Sequence, residues 1–193
     1  MQEKNDISLY KTLFAKAKEF HGHVCSGIVL GTRLTIAGMR ELGMNPLKKN
    51  DNLLVYIEID RCGADAVQAI TGCSLGHRTL KFKDYGKFAA TFVDMIKGNA
   101  VRVAVDEKNR AKHDMLKKDE VIRILSECPE DEILKVEKVT IDIPEDDIPG
   151  FSRGQALCSR CGERIRDHRE IVVSDQVLCR NCANGSYYEI ILT

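Results

Sequence analysis

Four cysteines near the carboxyl end constrain the fold of this chain more than any other feature of its sequence. They form two C-x-x-C pairs, Cys158 with Cys161 and Cys179 with Cys182, and 17 residues separate the pairs. Two pairs at such a spacing are typical of a zinc ion held by four thiolates, because each pair forms one half of a tetrahedral site. Residues 151–193 are therefore predicted to form a small zinc finger.

The residues between the two pairs predict how this finger folds. Apolar segments at 171–173 and 177–178 flank a short polar segment, which is typical of a β-hairpin. A hairpin followed by a helix at the second pair predicts a treble clef. Four cysteines also hold iron–sulfur clusters in some proteins, but paired knuckles joined by a hairpin favour zinc. A tail this short, with few large apolar residues, needs such a metal ion to fold.

The charge of the finger argues against nucleic acid as a partner. From Phe151 onward, six Lys/Arg residues accompany five Asp/Glu residues, whereas nucleic-acid-binding fingers are usually distinctly basic. We therefore expect the finger to be structural or to contact protein.

The segment before the finger predicts a domain boundary. Residues 144–150 include two prolines, three adjacent acids counted through Glu145 to Asp147, and a glycine. Such a segment is typical of a linker. We therefore expect a larger domain over residues 1–143, a linker over 144–150 and the finger after it.

The composition is that of a globular protein in a reducing compartment. Of 193 residues, 44% are hydrophobic and 30% are charged, and 29 basic residues balance 29 acidic ones. This balance gives no general attraction to nucleic acid or to an anionic membrane. No apolar run approaches the roughly 20 residues of a membrane helix, so we expect a cytoplasmic protein without membrane association. The eight cysteines are then metal ligands, reactive thiols or small core residues rather than disulfides.

A second group of metal-binding side chains lies near the amino end. His21, His23 and Cys25 occupy alternate positions in the segment HGHVCSG, and alternate residues of an extended segment project to the same side. Imidazole and thiolate together suit zinc, nickel, copper or iron. A helix is predicted over residues 27–41 with Ser26 as its N-cap, so its dipole is expected to lower the pKa of Cys25. Ordinary turn residues are the alternative interpretation of this segment.

Cys62 is the candidate for a fourth ligand of the core metal or for a catalytic thiol. It follows a predicted buried strand over residues 53–59 and precedes a predicted helix over residues 63–70. This context places functional side chains at the end of a strand. A thiol at a helix start is expected to have a lowered pKa, so Cys25 and Cys62 are the candidate catalytic residues. A buried structural cysteine is the alternative for Cys62.

Two other cysteines are predicted to be structural. Cys73 lies eleven residues after Cys62, which is not the spacing of a C-x-x-C redox pair, although a resolving thiol for Cys62 is the alternative. Cys128 precedes a proline at the end of a predicted helix.

The hydrophobic pattern predicts an α+β fold for the larger domain. Apolar residues recur at helical spacing in four segments and form strand-like runs in five others. The predicted helices are residues 7–20, 27–41, 63–70 and 106–125, and the predicted strands are 53–59, 78–83, 88–95, 100–105 and 133–143. We therefore expect a five-stranded mixed sheet flanked by helices.

Three motifs in this domain resemble those of the E-subunit family of formylmethanofuran dehydrogenase. They are the segment 21–27, the segment 61–68 with the nearby Thr71-Gly72-Cys73 and Gly76, and the segment 84–92. The resemblance covers about residues 8–143. It implies an α+β core with a thioredoxin-like arrangement and a metal-binding active site, and some members of the family carry a C-terminal treble-clef zinc finger.

The resemblance also implies a function linked to one-carbon redox metabolism. The associated enzyme is a molybdenum or tungsten formylmethanofuran dehydrogenase, which joins carbon dioxide to methanofuran. This chain has no pterin, flavin or core iron–sulfur signature, so redox chemistry would fall to the bound metal, to thiols or to such a partner enzyme. We expect zinc in the finger and zinc or another transition metal held by His21, His23, Cys25 and Cys62.

Two other functions compete with this one. A non-catalytic adaptor or metal-dependent regulator would use the finger to bind a partner. A thiol–disulfide enzyme is less favoured because the core has no C-x-x-C motif. We also expect a homodimer, because the first helix, the strand at 133–143 and the aromatic tail offer more apolar surface than one core readily covers.

Overall fold

The chain folds into two compact units whose boundary lies between Asp142 and Ile143. The computed structural model of the protein describes residues 2–113 and 115–191. Each unit has a hydrophobic core of its own. Within the described residues, none of the helices combines the length and the apolar character needed to cross a membrane.

A five-stranded mixed sheet forms the centre of the first unit. The strands are β1 (Leu53–Ile57), β2 (Leu80–Phe82), β3 (Ala89–Asp94), β4 (Ala100–Val105) and β5 (Leu134–Val139). They lie in the order β2-β1-β3-β4-β5. The β1–β2 pair is parallel and the other neighbouring pairs are antiparallel. The predicted α+β fold with a five-stranded mixed sheet is confirmed.

Helices pack against this sheet through apolar side chains. The long helices are α1 (Gln2–His21), α2 (Ser26–Glu41) and α3 (Cys62–Thr71). Alternate strand residues such as Val55, Phe92 and Val103 share one core with Leu13 of α1 and Leu34 of α2. All five are at most 1% exposed, and burying a side chain of this size stabilises a fold by roughly 1.5–3 kcal/mol.

The predicted helix over residues 106–125 is wrong, because the structure divides this segment. A short helix α4 (Glu107–Arg110) continues into a 3-10 turn at Ala111–His113, and a separate helix α5 spans Lys118–Glu127. The Asp106 carboxylate accepts hydrogen bonds from the backbone N–H groups of the first turn of α4, which fixes an early helix start. Lys117 is extended, with φ −65° and ψ 147°, and so begins a new helix.

The predicted strand over residues 133–143 is also too long. β5 ends at Val139, which pairs with Ala100 at the first position of β4. Beyond that pair β4 offers no further backbone partner, so the ladder ends there. The apolar pattern of Ile141 and Ile143 does not by itself extend a strand.

Glycines let α2 approach α3 closely. A methyl group added at Gly31 would lie 2.7 Å from the Cα atom of Gly63 and 2.9 Å from the Cβ atom of Ala66. One added at Gly27 would lie 2.9 Å from the Cβ atom of Cys62. The two helices therefore meet backbone to backbone near their amino ends, and this contact brings Cys62 next to the start of α2.

The finger contains two β-hairpins and a short helix. Its elements are β6 (Gln155–Leu157), β7 (Arg164–Arg166), β8 (Ile171–Val173), β9 (Gln176–Leu178) and α6 (Arg180–Asn184). The predicted hairpin between the cysteine pairs is confirmed as β8–β9. Its turn residues Ser174 and Asp175 both have positive φ angles, 48° and 63°, as a tight two-residue hairpin turn requires.

Gly31→Ala tests the close contact of α2 with α3. The added methyl group meets backbone rather than a flexible side-chain end, and overpacking of this kind costs about 1–3 kcal/mol. That loss exceeds the gain of about 1 kcal/mol that alanine brings within a helix. We therefore expect a lower free energy of unfolding in urea. Gly76→Ala is the matched control, because nothing lies within 4 Å of its added methyl group. Equal stability of Gly31→Ala and wild type would contradict the close contact.

Candidate metal centres

The first candidate metal centre lies where α1 ends and α2 begins. Gly22 has φ +87°, and its N–H bonds to the carbonyl oxygen of Lys18 at 2.8 Å, so α1 stops at His21. The chain then turns within four residues. Cys25 has extended backbone angles and is the N-cap of α2. The N-cap expected at Ser26 is thus wrong: Ser26 is the first residue of the helix.

This turn brings together the three side chains at alternate positions. The ligand atoms of His21, His23 and Cys25 all lie within 4.8 Å of one another. The Cys25 Sγ atom lies 3.6 Å from the Nε2 atom of His21, and the centres of the two imidazole rings are 4.3 Å apart. His23 is exposed, whereas His21 and Cys25 are half-buried. The site is therefore open to solvent on the side of His23.

The start of α2 stabilises the thiolate form of Cys25. Its Sγ atom accepts a hydrogen bond from the backbone N–H of Ile28 at 3.3 Å. Burial raises the pKa of the Cys25 thiol, but the hydrogen bonds from Ile28, Cys62 and His21 together outweigh burial and leave this pKa below its ordinary value. The thiolate is the form that binds metal ions.

Cys62 is a neighbour of this group but not a member of it. Its thiol hydrogen-bonds to Cys25, while the set of ligand atoms within 4.8 Å contains only the two histidines and Cys25 among the described residues. Burial, together with the neighbouring Cys25, raises the pKa of Cys62. The expectation of a lowered pKa for Cys62 is wrong, because the negative charge of the pair is better stabilised on Cys25 at the helix N-cap.

Asp65 is a site residue that the sequence did not indicate. Its Oδ2 atom lies 2.7 Å from the Nδ1 atom of His21, and this hydrogen bond raises the pKa of His21 despite the opposing effect of burial. Asp65 follows Cys62 by three positions in α3, and residues three apart in a helix share a face. That spacing was the one available signal.

Cys73 and Cys128 lie apart from this centre. Cys73 is 4% exposed and donates to the carbonyl oxygen of Leu53 at 3.6 Å, and burial raises its pKa. Cys128 is the C-cap of α5 and lies 3.5 Å from a guanidinium nitrogen of Arg33. Both positions agree with the predicted structural roles.

The second centre is the cysteine cluster of the finger. The Sγ atoms of Cys158, Cys161, Cys179 and Cys182 all lie within 4.8 Å of one another. The first pair lies in the turn between β6 and β7, where Gly162, at φ +77°, lets the chain fold back. The second pair lies at the start of α6, with Cys179 as the N-cap.

Backbone amides surround the finger sulfurs. The Sγ atom of Cys158 accepts from the N–H of Cys179 at 3.3 Å, and the Sγ atom of Cys179 accepts from the N–H of Cys182 at 3.4 Å. Backbone N–H groups of Cys161 and Cys179 lower the pKa of Cys158 to about 6. Burial and the neighbouring thiols raise the pKa of Cys182 to about 12. Four crowded thiols of this kind favour a divalent cation between them.

Comparisons with known proteins match both units. A family model described as FmdE, molybdenum formylmethanofuran dehydrogenase operon, matches residues 20–146. A second, described as the prokaryotic dksA/traR C4-type zinc finger, matches residues 151–188. A probable S-adenosyl-L-methionine-binding protein of Archaeoglobus fulgidus is 33% identical, over 98% of this chain and 57% of its own length. The chain thus spans little more than half of that curated relative.

A solved structure has the same fold. The crystal structure of a tungsten formylmethanofuran dehydrogenase FmdE-like protein from Syntrophus aciditrophicus matches with a TM-score of 0.68. The match covers 93% of this chain and 95% of that one, at 24% sequence identity.

An α+β core joined to a four-cysteine finger defines a class of zinc-finger-containing, metal-binding proteins. The finger match and its sulfur cluster make the C-terminal unit a zinc-binding unit. The core match covers more than half of the chain, and the protein belongs to the FmdE family.

Replacing Cys161 with serine tests how far the finger depends on its metal. Structural zinc contributes on the order of 10–16 kcal/mol to the folding of finger peptides, far more than the small core of this unit supplies. We therefore expect proteolysis of the segment from residue 151 onward in Cys161→Ser, while the first unit stays resistant. Cys128→Ser is the control for loss of a thiol elsewhere. A tail that resists protease after zinc removal by a chelator would contradict the four-cysteine assignment.

Proposed function

We propose that the core binds a transition metal ion, zinc or another, through His21, His23 and Cys25, and acts in one-carbon redox metabolism related to formylmethanofuran dehydrogenase. The observation that carries the proposal is the convergence of these three ligand atoms within 4.8 Å. It is supported by the FmdE family match, which spans all three residues.

The donor set fits such an ion. Two imidazoles and a thiolate suit zinc, nickel, copper or iron. Three protein ligands leave a position for water or substrate, as in catalytic zinc sites, and the exposure of His23 leaves that position accessible. A bound ion would supply Lewis-acid chemistry there.

The two core cysteines have different roles in this proposal. Cys25 is a metal ligand, because its sulfur lies within the group and is stabilised by the N–H of Ile28. Cys62 lies beside Cys25 but outside the group. This position favours a reactive thiol next to the metal over a fourth ligand, and so makes Cys62 the candidate catalytic thiol.

The proposal includes a partner and a location. The family description refers to the molybdenum formylmethanofuran dehydrogenase operon, and the solved relative is described as FmdE-like and as related to a tungsten enzyme. We propose that the chain works in the cytoplasm with a molybdenum or tungsten enzyme of this type. The finger, with its knuckle, hairpin and helix, is proposed to be a treble clef with a structural zinc ion.

Cys25→Ala tests the core site. Zinc-supplemented wild type should hold two ions per chain, one in the core and one in the finger, and Cys25→Ala should hold one, as measured by native mass spectrometry. The change in stability should be small, since the thiol is half-buried at the edge of the core. Cys128→Ala serves as the matched control, because it removes a half-buried thiol remote from the site. Unchanged metal content together with a large loss of stability would make Cys25 a packing residue.

A second candidate function is a non-catalytic adaptor or metal-dependent regulator. The observation that favours it is the exposed apolar surface of the finger: Phe151 is 99% exposed, Tyr187 98% and Ile191 87%. Exposed apolar groups of this size often mark protein contacts. Copurification separates the two functions. A stably bound enzyme and an isolated chain without turnover would favour the adaptor, whereas turnover by the isolated metal-loaded chain would favour the enzyme.

The same surface supports the proposal of a homodimer. Two-fold symmetry is the commonest closed arrangement, and pairing would cover the exposed apolar side chains near the end of the finger. We expect a dimer in sedimentation at micromolar concentration, and a shift towards monomer when the chain is cut after Pro149. A monomeric full chain would contradict the dimer. An unchanged dimer after the cut would exclude the finger from the interface.

A further inference from the structure

The two ring nitrogens of His21 face different partners. Nδ1 lies 2.7 Å from the Oδ2 atom of Asp65, and Nε2 lies 3.6 Å from the Sγ atom of Cys25. The His21 side chain is only 11% exposed, so the ring is held between the two partners. One nitrogen therefore faces α3, and the other faces the candidate metal ligands.

A carboxylate in this position determines where the ring proton lies. An ionised carboxylate only accepts hydrogen bonds, so the Nδ1 atom of a neutral His21 must carry the proton. The Nε2 atom then presents its lone pair towards Cys25. Metal-bound histidines commonly donate their other ring N–H to a carboxylate, which fixes the tautomer and makes the ligand more basic.

We infer that Asp65 is a positioning residue that holds His21 in the Nδ1–H tautomer and directs Nε2 to the core metal; the metal-binding half of this inference rests on the proposed function. Asp65 need not touch the ion. It acts through the orientation and protonation of one ligand.

The fold explains why Asp65 can reach His21. Asp65 lies in the first turn of α3, on the same face as Cys62. The glycine contact between α2 and α3 brings that face towards the end of α1. The alternative is that Asp65 only compensates the positive end of the α3 dipole, a role that would leave the His21 tautomer unaffected.

The first test is the tautomer of His21 in the metal-free full chain. Long-range proton–nitrogen NMR at a pH where the ring is neutral distinguishes Nδ1–H from Nε2–H. We expect Nδ1–H in wild type and a loss of this preference in Asp65→Asn, whose amide can donate to the ring nitrogen. Asp60→Asn is the matched control, since it removes an exposed carboxylate just before the same helix. Asp65→Glu should restore the Nδ1–H tautomer at least in part.

The second test is Co²⁺ binding to the full chain with zinc in the finger, with Cys25→Ala as the blank. Loss of an orienting carboxylate typically weakens metal affinity 10–100-fold, and we expect a loss of this size in Asp65→Asn. The absorption from thiolate to Co²⁺ should persist at saturation, because Cys25 remains a ligand. Asp60→Asn should bind within about twofold of wild type.

The outcomes separate this inference from the proposed function. Nε2–H in wild type, or an unchanged Nδ1–H tautomer in Asp65→Asn, would overturn the inference. Weaker binding with an unchanged tautomer would assign Asp65 to the helix dipole instead, which also overturns it. Equal Co²⁺ uptake by wild type and Cys25→Ala would contradict the core metal site, while the metal-free NMR experiment would still decide the role of Asp65.

Discussion

The close approach of α2 to α3 is the contact on which the arrangement of the core site depends. Gly31 and Gly63 meet without side chains between them, so the amino ends of the two helices lie next to each other. Cys25 caps one of these ends, and Cys62 begins the other. Any larger residue at the contact would separate the helices, and with them the two thiols and the carboxylate of Asp65.

This arrangement places opposite electrostatic environments side by side. His21 is the last residue of α1, where the helix dipole is negative, and Cys25 lies at the positive start of α2. A cation-binding imidazole and a stabilised thiolate thus come from helix ends of opposite sign within one turn of chain. Cys62 stays the more protonated thiol because Cys25 already carries the stabilised charge.

The sequence predicted the local parts of both metal centres and missed the long-range ones. His21, His23 and Cys25 lie within five residues, and the finger cysteines form spaced pairs, so their convergence follows from short segments of chain. Asp65 is 44 residues from its partner His21, and within α3 it resembles an ordinary first-turn acid. The predicted helix over residues 106–125 failed because the pattern of apolar residues does not record the capping by Asp106. The five-stranded sheet was predictable because its strands are continuous apolar runs.

The difference in solvent access between the two centres has a consequence for how each acquires its ion. Cys158 is 2% exposed, and the small finger depends on its ion for folding, so zinc there is acquired during folding and is then kinetically retained. His23 is exposed, and the core around it is held by its own apolar contacts. An ion at that site would exchange with the surroundings without unfolding of the chain. The supply of metals in the cell, rather than the folding pathway, would then select which element occupies the core.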